Sequence, residues 1–195
     1  MSLRLVLATA NPDKAREIAD ALSGFDLVPR PEDVPDVDET EDTLEGNARL
    51  KAEALCRATG EAAVADDTGL EVAALDGRPG VYSSRFAGPT ATYADNVAKL
   101  LAELDGIDNR RARFRTVALV AFPDGREVIA EGTVDGQITT EARGNEGFGY
   151  DPLFVPDDGD GRTFGEMTLA DKQPISHRGR AFKALAEALL RSGDD

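Results

Sequence analysis

Two adjacent carboxylates, Asp66 and Asp67, directly follow the apolar run "AAVA" and precede Thr68 and Gly69. The apolar run predicts a buried strand, and we interpret the Thr-Gly pair as the break that ends it. Acids at the edge of buried surface need a counter-charge. We therefore favour a functional pair over two acids solvated at a turn.

Two chemistries use an apolar strand that ends in this way. The single Asp-Thr-Gly would fit an aspartic protease only as a dimer, because two such motifs share the catalytic proton. The alternative is a hydrolase whose terminal carboxylates hold Mg²⁺ against a phosphate. The helices predicted on both sides of the motif fit the hydrolase better than an all-β protease.

Two further stretches could meet an anion or a metal. "TANPDK" (9–14) follows a predicted strand and opens a helix, so its backbone N–H groups and Lys14 would face an anion. It lacks the glycines of the known phosphate-binding loops, and taken alone a capped turn is favoured. "DVDETEDT" (36–43) could add oxygen ligands, although an acidic run is usually a solvated loop.

An aromatic stretch and a lone histidine could meet a flat base. "GFGYDPLF" (147–154) combines flexible glycines with aromatic faces, which suits stacking, although Phe148 or Phe154 could equally belong to the core. "SHRG" opens the predicted last helix with Ser176 as its cap. His177 and Arg178 could face an anion or a base edge there, but a lone histidine is more often structural.

Composition limits the class of protein. The chain has 195 residues, of which 41% are hydrophobic and 30% charged, as in ordinary globular proteins. A net charge of −15 argues against a nucleic acid partner, because phosphate contacts need a basic face. Cys56 and His177 are the only cysteine and the only histidine of the sequence, which excludes an intrachain disulfide and the usual zinc clusters. Any metal would therefore be held by oxygen.

The sequence also predicts location. No apolar run reaches the roughly 20 residues that a membrane span needs, and the N-terminal stretch meets a proline and charges too early for a signal peptide. We expect a cytoplasmic protein with no membrane partner.

Predicted strands and helices alternate in the first half. Strands are expected at 3–9, 25–29, 62–66 and 70–75, and helices at 14–24, 44–60 and 92–106. Residues 113–138 predict three antiparallel strands joined by a Pro-Asp-Gly turn and a second turn, and a last helix begins near Ser176. We predict an α/β fold, with a mixed central sheet flanked by helices. It would form a single domain over residues 1–195, in two lobes with an active-site cleft between them.

Five stretches occur together in an order that resembles one family. They are "LATANPDK", "TLEGNARLKA", "ADDTGLEVAALDGRPGVYSSRFAG", "GFGYDPLF" and "EMTLADKQPISHRGRAF". Their order and spacing over nearly the whole chain are similar to the inosine/xanthosine triphosphate pyrophosphatase family. The resemblance implies hydrolysis of non-canonical purine nucleoside triphosphates (ITP, dITP, XTP) to the monophosphate and pyrophosphate, which cleanses the nucleotide pool. It also implies Mg²⁺ as cofactor, with Mn²⁺ as a substitute, and a homodimer. A pyrophosphatase for modified pyrimidine nucleotides and a non-catalytic nucleotide-binding module are the alternatives.

The resemblance implies roles for the residues of the acidic motifs. Asp67 matches the general base and metal ligand, with Asp66 beside it and Lys51 as the third catalytic residue. Glu39 matches the second metal ligand. The close neighbours that could take its place by a shift of register are Asp38, Glu41 and Glu45.

The remaining positions match nucleotide contacts. The first loop would bind phosphate, although the family usually has glycine where this chain has alanine, and Thr68 keeps a substrate-contacting hydroxyl. The substrate-binding residues implied are Thr9, Ala10, Asn11, Lys14, Thr68, Phe148, Gly149, Tyr150, Asp151, Lys172, His177 and Arg178. Only five of the 22 basic residues are lysines, and three of them (Lys14, Lys51 and Lys172) lie at matching positions, as expected if point charges hold the phosphates.

Overall fold

The computed structural model describes residues 3–192, and seven strands of this range form one mixed sheet. The strands are β1 Arg4–Leu7, β2 Asp26–Val28, β3 Ala63–Val72, β4 Pro79–Gly80, β5 Arg111–Ala121, β6 Glu127–Ile138 and β7 Phe154–Pro156. Their order is β2-β1-β3-β5-β6-β7, with β4 pairing to β3. β1 pairs in parallel with β2 and β3, whereas β3–β4 and β6–β7 are antiparallel. The predicted mixed α/β sheet is confirmed.

Local sequence explains where the helices begin and end. In the described residues they are α1 Pro12–Ala21, α2 Leu44–Thr59, α3 Tyr93–Glu103, α4 Leu169–Lys172 and α5 His177–Ser192. Thr43 caps α2 by accepting a hydrogen bond from the backbone N–H of Gly46, and Gly60 ends it at φ 71°, where only glycine is unstrained. None of the helices described is long and apolar enough to cross a membrane.

The chain divides into two compact units, each with its own hydrophobic core. The first unit comprises the chain up to Asp67, Thr116–Gly132 and the chain from Arg178 onward. In its core, Phe182 and Leu185 of α5 pack with Leu5 of β1 and Ile18 of α1. Phe182 and Leu185 are three residues apart and therefore lie on the same face of α5.

The second unit comprises Thr68–Arg115 and Thr133–His177. Its core combines Leu100 of α3 with Leu70 of β3 and a group of phenylalanines, Phe114, Phe154 and Phe164. The ring centroids of Phe114 and Phe154 lie 4.7 Å apart in an edge-on arrangement. Phe154 is therefore a core residue, one of the two possibilities that the sequence left open.

The predicted break after the paired acids is wrong. β3 continues from Ala63 to Val72 and pairs with β4, with Leu70 opposite Gly80. A Cβ at Gly69 would lie 2.7 Å from the carbonyl oxygen of Gly80. Gly69 thus permits the close approach of β4 and does not end β3.

The second turn of the predicted three-stranded meander is also wrong. β6 runs unbroken from Glu127 to Ile138, and its antiparallel partner beyond β5 is β7, which begins only at Phe154. A Cβ at Gly136 would lie 2.3 Å from the carbonyl oxygen of Val155. Here too a glycine inside a strand marks the approach of a neighbouring backbone, and not a turn.

Candidate active site

Asp66 and Asp67 are both buried inside β3, with 2% and 4% of their surface exposed. Successive side chains of a strand point to opposite faces, and the two carboxylates accordingly have different partners in the first unit. Asp66 contacts Arg178 and Lys14, whereas Asp67 contacts Lys51. The two acids therefore have different nearest partners despite being neighbours in sequence.

Arg178 places a buried guanidinium on Asp66. Its Nε and Nη2 each donate to Asp66 Oδ2 at 3.2 Å, and its Nη1 donates to Glu17 of α1. Lys14, one turn before Glu17 on α1, lies 3.3 Å from the same oxygen of Asp66. Burial alone would raise the pKa of Asp66, but Lys14, Arg178 and Lys51 hold it well below its usual range. Asp66 therefore stays ionised as part of a charge network.

Lys51 lies between Asp67 and Glu39. Its Nζ is 3.3 Å from Asp67 Oδ1 and 2.7 Å from Glu39 Oε1. Asn47, one turn earlier on α2, donates from Nδ2 to Asp67 Oδ2 at 3.3 Å and accepts the backbone N–H of Glu41 on Oδ1 at 3.0 Å. α2 thus holds Asp67 and the acidic loop together.

Burial and neighbouring charge shift the pKa values of Asp67 and Lys51 upward. Burial raises the pKa of Asp67 and outweighs the opposing ammonium of Lys51, and Glu39 raises it further. Burial lowers the pKa of Lys51, but the carboxylates of Asp67 and Glu39 outweigh that effect. A carboxylate with a raised pKa is a stronger base than an ordinary aspartate.

The donor set around Lys51 fits a hard divalent cation. Glu39 and Asp67 converge on one ammonium, and Mg²⁺ in proteins is typically held by one or two carboxylates together with phosphate oxygens. Among residues 3–192, no group of three or more acidic, histidine or cysteine side chains could hold a metal by itself. Of the alternative acids, Glu45 pairs with Arg49 at 2.8 Å. The residues present fit a metal whose coordination is completed by substrate oxygens.

The first loop connects β1 to α1 in the first unit. The side chain of Asn11 caps α1, since its Oδ1 accepts the backbone N–H groups of Asp13 and Lys14 at 2.9 and 3.3 Å. Thr9 Oγ1 accepts the backbone N–H of Asn11 at 3.1 Å, and Ala10 is exposed. The predicted phosphate loop is thus an ordered helix start with Lys14 in its first turn.

In the second unit, Asp151 and Lys172 hold the aromatic stretch. Asp151 Oδ2 accepts from Lys172 Nζ at 2.6 Å and from the backbone N–H of Phe148 at 2.9 Å. Lys172 Nζ also lies 5.3 Å from the centroid of the Phe148 ring. A Cβ at Gly147, where φ is 68°, would lie 2.1 Å from Asp151 Oδ2, so glycine is required for this turn. Residues 147–150 thus form a fixed turn with a half-buried Phe148, before the short 3-10 helix Asp151–Leu153.

The other predicted contacts of the second unit have structural neighbours. Tyr150 is buried, and its hydroxyl donates to the backbone carbonyl of Ser83 at 2.9 Å. The ring of His177, 2% exposed, stacks on Phe114 with a centroid distance of 4.3 Å. Thr68 is half-buried in β3 directly after the paired acids.

The structure therefore brings the predicted residues together in two groups, one in each unit. The group around the paired acids contains Glu39, Lys51, Lys14 and Arg178, and the group around the aromatic loop contains Phe148, Asp151 and Lys172. We call them the acidic cluster and the aromatic cluster.

Sequence reasoning missed two members of the acidic cluster, Glu17 and Asn47. Both are buried polar residues on helices, with 4% and 0% of their surface exposed. The available signal was spacing, because Glu17 stands three residues after Lys14, and Asn47 stands four before Lys51. Such residues share a helix face with those lysines.

Known proteins resemble this chain in sequence and in fold. The sequence profile of the Ham1 family matches residues 5–188, which include both clusters. The "dITP/XTP pyrophosphatase" of Caulobacter vibrioides is 47% identical over 97% of this chain and 100% of its own length. The "dITP/XTP pyrophosphatase" of Deinococcus deserti is 49% identical over 95% of this chain and 88% of its own length. A HAM1 protein from Coxiella burnetii, 39% identical, superposes with a TM-score of 0.87 over 97% of this chain and 99% of its own. Since sequence and fold agree over almost the entire length, the chain belongs to the Ham1 family.

Proposed function

We propose that this chain is a nucleoside triphosphate pyrophosphatase. It hydrolyses the non-canonical purine nucleotides ITP, dITP and XTP to the monophosphate and pyrophosphate and so cleanses the nucleotide pool. The observation that carries the proposal is the placement of Asp67, a buried carboxylate held with Glu39 around Lys51. Relatives that are 47–49% identical over nearly the whole chain bear the name dITP/XTP pyrophosphatase.

The acidic cluster binds the triphosphate in this proposal. Asp67 and Glu39 hold Mg²⁺, or Mn²⁺ in its place, which supplies charge neutralisation at the phosphates. Lys14 and Lys51 are compact cations that hold the phosphate chain in line for attack. Arg178 keeps Asp66 ionised and fixed, so that Asp66 supplies negative potential beside both lysines.

Asp67 acts on the water. Its carboxylate accepts a proton as the water oxygen bonds to the α-phosphorus, and the bond from that phosphorus to the α–β bridging oxygen breaks. The nucleoside monophosphate forms and pyrophosphate leaves. Lys14 and Lys51 stabilise the negative charge that develops on the leaving group.

The aromatic cluster binds the base. The Phe148 ring provides a flat apolar face, and Lys172 is a buried donor fixed by Asp151. An N–H donor at this place can pair with the oxygen of a 6-oxo purine, whereas the amino group of adenine offers it no acceptor. Such a polar contact discriminates between bases more strongly than shape does. We accordingly propose that Lys172 contacts the base, together with Gly149, Tyr150 and His177, while its contact with the phosphates stays a prediction.

The proposal includes the oligomeric state and the cellular location of the protein. Residues 1–195 act as one pyrophosphatase domain, in a homodimer, in the cytoplasm, without nucleic acid or membrane partners. The active-site cleft stays a prediction, as do the substrate contacts of Thr9, Ala10, Asn11 and Thr68.

A panel of nucleoside triphosphates with separate detection of pyrophosphate and orthophosphate tests the function. We expect pyrophosphate from ITP, dITP and XTP with Mg²⁺, and none in the presence of a chelator. Orthophosphate as the direct product would contradict the proposal. Preferential turnover of modified pyrimidine nucleotides, or tight binding without turnover, would support the corresponding alternative.

Asp67→Asn tests the general base. We expect kcat to fall by about 10²–10⁴-fold, the usual contribution of such a group, while the circular dichroism spectrum stays native. Asp135→Asn is the matched control, because Asp135 is an exposed strand residue whose carboxylate pairs with Arg113 at 2.8 Å. Equal activities of the two variants would refute the role of Asp67.

A further inference from the structure

Tyr93 is a large aromatic residue on the surface beside the aromatic cluster. It is 45% exposed, and its ring centroid lies 5.9 Å from that of Phe148, with 40° between the ring planes. Single exposed aromatic residues are common and need no explanation. The contact with Phe148 distinguishes Tyr93, since it joins an exposed ring to the ring assigned to the base.

The start of α3 fixes the position of Tyr93. Tyr93 is the first residue of this helix, and Thr92 and Asp95 form a capping box around it. Asp95 Oδ2 accepts the backbone N–H of Thr92 at 2.8 Å, and Thr92 Oγ1 accepts that of Asp95 at 3.2 Å. The backbone that carries the ring is therefore ordered before any ligand arrives, which limits the entropy lost on binding.

Phe148 is held equally firmly. Asp151 accepts its backbone N–H at 2.9 Å, and the ammonium of Lys172 lies 5.3 Å from its ring centroid. The half-buried ring of Phe148 and the half-exposed ring of Tyr93 are therefore neighbouring aromatic faces on fixed backbones, with 40° between their planes. A purine is flat, aromatic and of similar width, and aromatic surfaces of this kind stack with it.

We propose that Tyr93 is a substrate-contacting residue, which together with Phe148 stacks on the purine of the bound nucleotide. The inference rests on the proposed function and adds a residue from α3 to its base site. Stacking uses the π-face that every base has. Tyr93 therefore strengthens binding of hypoxanthine and xanthine nucleotides by the same factor and leaves discrimination between bases to polar groups such as Lys172.

The reaction products provide the test, because neither is turned over. Inosine 5′-monophosphate carries the base, and pyrophosphate does not. By calorimetry with Mg²⁺ present, Tyr93→Ala is expected to weaken binding of inosine 5′-monophosphate by about 5- to 20-fold, towards the lower end of base–aromatic stacking because the ring is already half-exposed. Pyrophosphate binding should be unchanged. Tyr93→Phe keeps the ring and should restore wild-type affinity for the monophosphate.

Kinetics and a control complete the design. KM for dITP and XTP should rise by one common factor in Tyr93→Ala with kcat unchanged, the signature of lost uniform binding. Tyr82→Ala is the control, because Tyr82 is a similarly exposed tyrosine of the same unit, 51% exposed, whose ring contacts Arg85. It should change neither affinity.

Three results would overturn the inference. They are unchanged monophosphate binding in Tyr93→Ala, a parallel loss of pyrophosphate binding, and failure of Tyr93→Phe to restore affinity. If the wild-type protein did not hydrolyse dITP, the proposed function would fail, yet the calorimetric comparison would still test whether Tyr93 contacts a purine nucleotide.

Discussion

Replacing Arg178 with methionine removes the cation that joins two buried carboxylates. Arg178 is 1% exposed, and its partners Asp66 and Glu17 are 2% and 4% exposed. Methionine keeps much of the aliphatic stem but neither the charge nor the donors. The variant therefore leaves two ionised groups inside the first unit without their guanidinium.

The size of the effect follows from this burial. Removing one member of a buried ion pair typically costs about 3–5 kcal/mol in the free energy of unfolding, because a buried charge loses its partner. Arg178→Met affects two carboxylates, but Asp66 still has the ammonium of Lys14 at 3.3 Å. We therefore expect a loss of stability within this range and not above it. With an m-value of about 2 kcal/mol/M in urea, the midpoint should fall by roughly 1.5–2.5 M.

A double-mutant cycle separates the pair from the packing. Glu17→Gln should cost about 1–3 kcal/mol, since one charge-assisted hydrogen bond is weakened. In the double variant Arg178→Met/Glu17→Gln, residue 17 is uncharged. The loss of the guanidinium therefore leaves no buried charge at that position. The double variant should be more stable than the sum of the single losses predicts, by about 0.5–3 kcal/mol.

Far-ultraviolet circular dichroism in urea is the appropriate assay, because the chain contains no tryptophan. Arg57→Met is the matched control, since the side chain of Arg57 is 69% exposed and pairs with Glu53 within α2. It should change stability by less than about 0.5 kcal/mol. If Arg178→Met were no more destabilising than Arg57→Met, or if the cycle were additive, the reasoning about a buried charge network would be wrong.

Two further predictions concern a glycine and a lysine near the paired acids. Gly69→Ala should cost about 1–3 kcal/mol in urea unfolding, because its Cβ would lie 2.7 Å from the carbonyl oxygen of Gly80, whereas Gly24→Ala, with nothing within 4 Å, should be neutral or stabilising. Lys51→Met should raise the affinity of the nucleotide-free protein for Mn²⁺ by about tenfold, because the ammonium no longer competes for the two carboxylates. Electron paramagnetic resonance of free Mn²⁺ measures this, with the exposed Lys183→Met as the charge-matched control. Equal stabilities of the two glycine variants, or equal Mn²⁺ affinities of the two lysine variants, would contradict these expectations.

Local signals located most elements of the fold correctly. Thr43 and Gly60 cap α2 at the two ends of the predicted range 44–60, since each residue acts on backbone groups only a few positions away. The same signals failed inside strands. Gly69 and Gly136 look like breaks in sequence, but each lies in a continuous strand where a neighbouring backbone approaches closely. That neighbour belongs to another part of the chain, so no local window contains it.

The aromatic cluster likewise combines a signal that is visible in the local sequence with a contact that only the fold creates. Its glycines and aromatic residues already indicate a surface for a flat ligand, but the ring of Tyr93 belongs to a different segment, the start of α3. Only folding places it 5.9 Å from Phe148. Phe148 and Phe154, which the sequence could not separate, differ because the second is wholly buried among other phenylalanines.

The sequence by itself determined which residue types are available for chemistry: two adjacent acids, a small set of lysines at motif positions, and a resemblance that spans the chain. The tertiary structure decided which charge meets which. Asp66 meets a guanidinium 112 residues away in sequence, whereas Asp67 meets an ammonium only 16 residues away. Neighbouring side chains of a strand face opposite sides, so two identical residues enter different environments. Burial among different partners then lowers the pKa of Asp66 and raises that of Asp67.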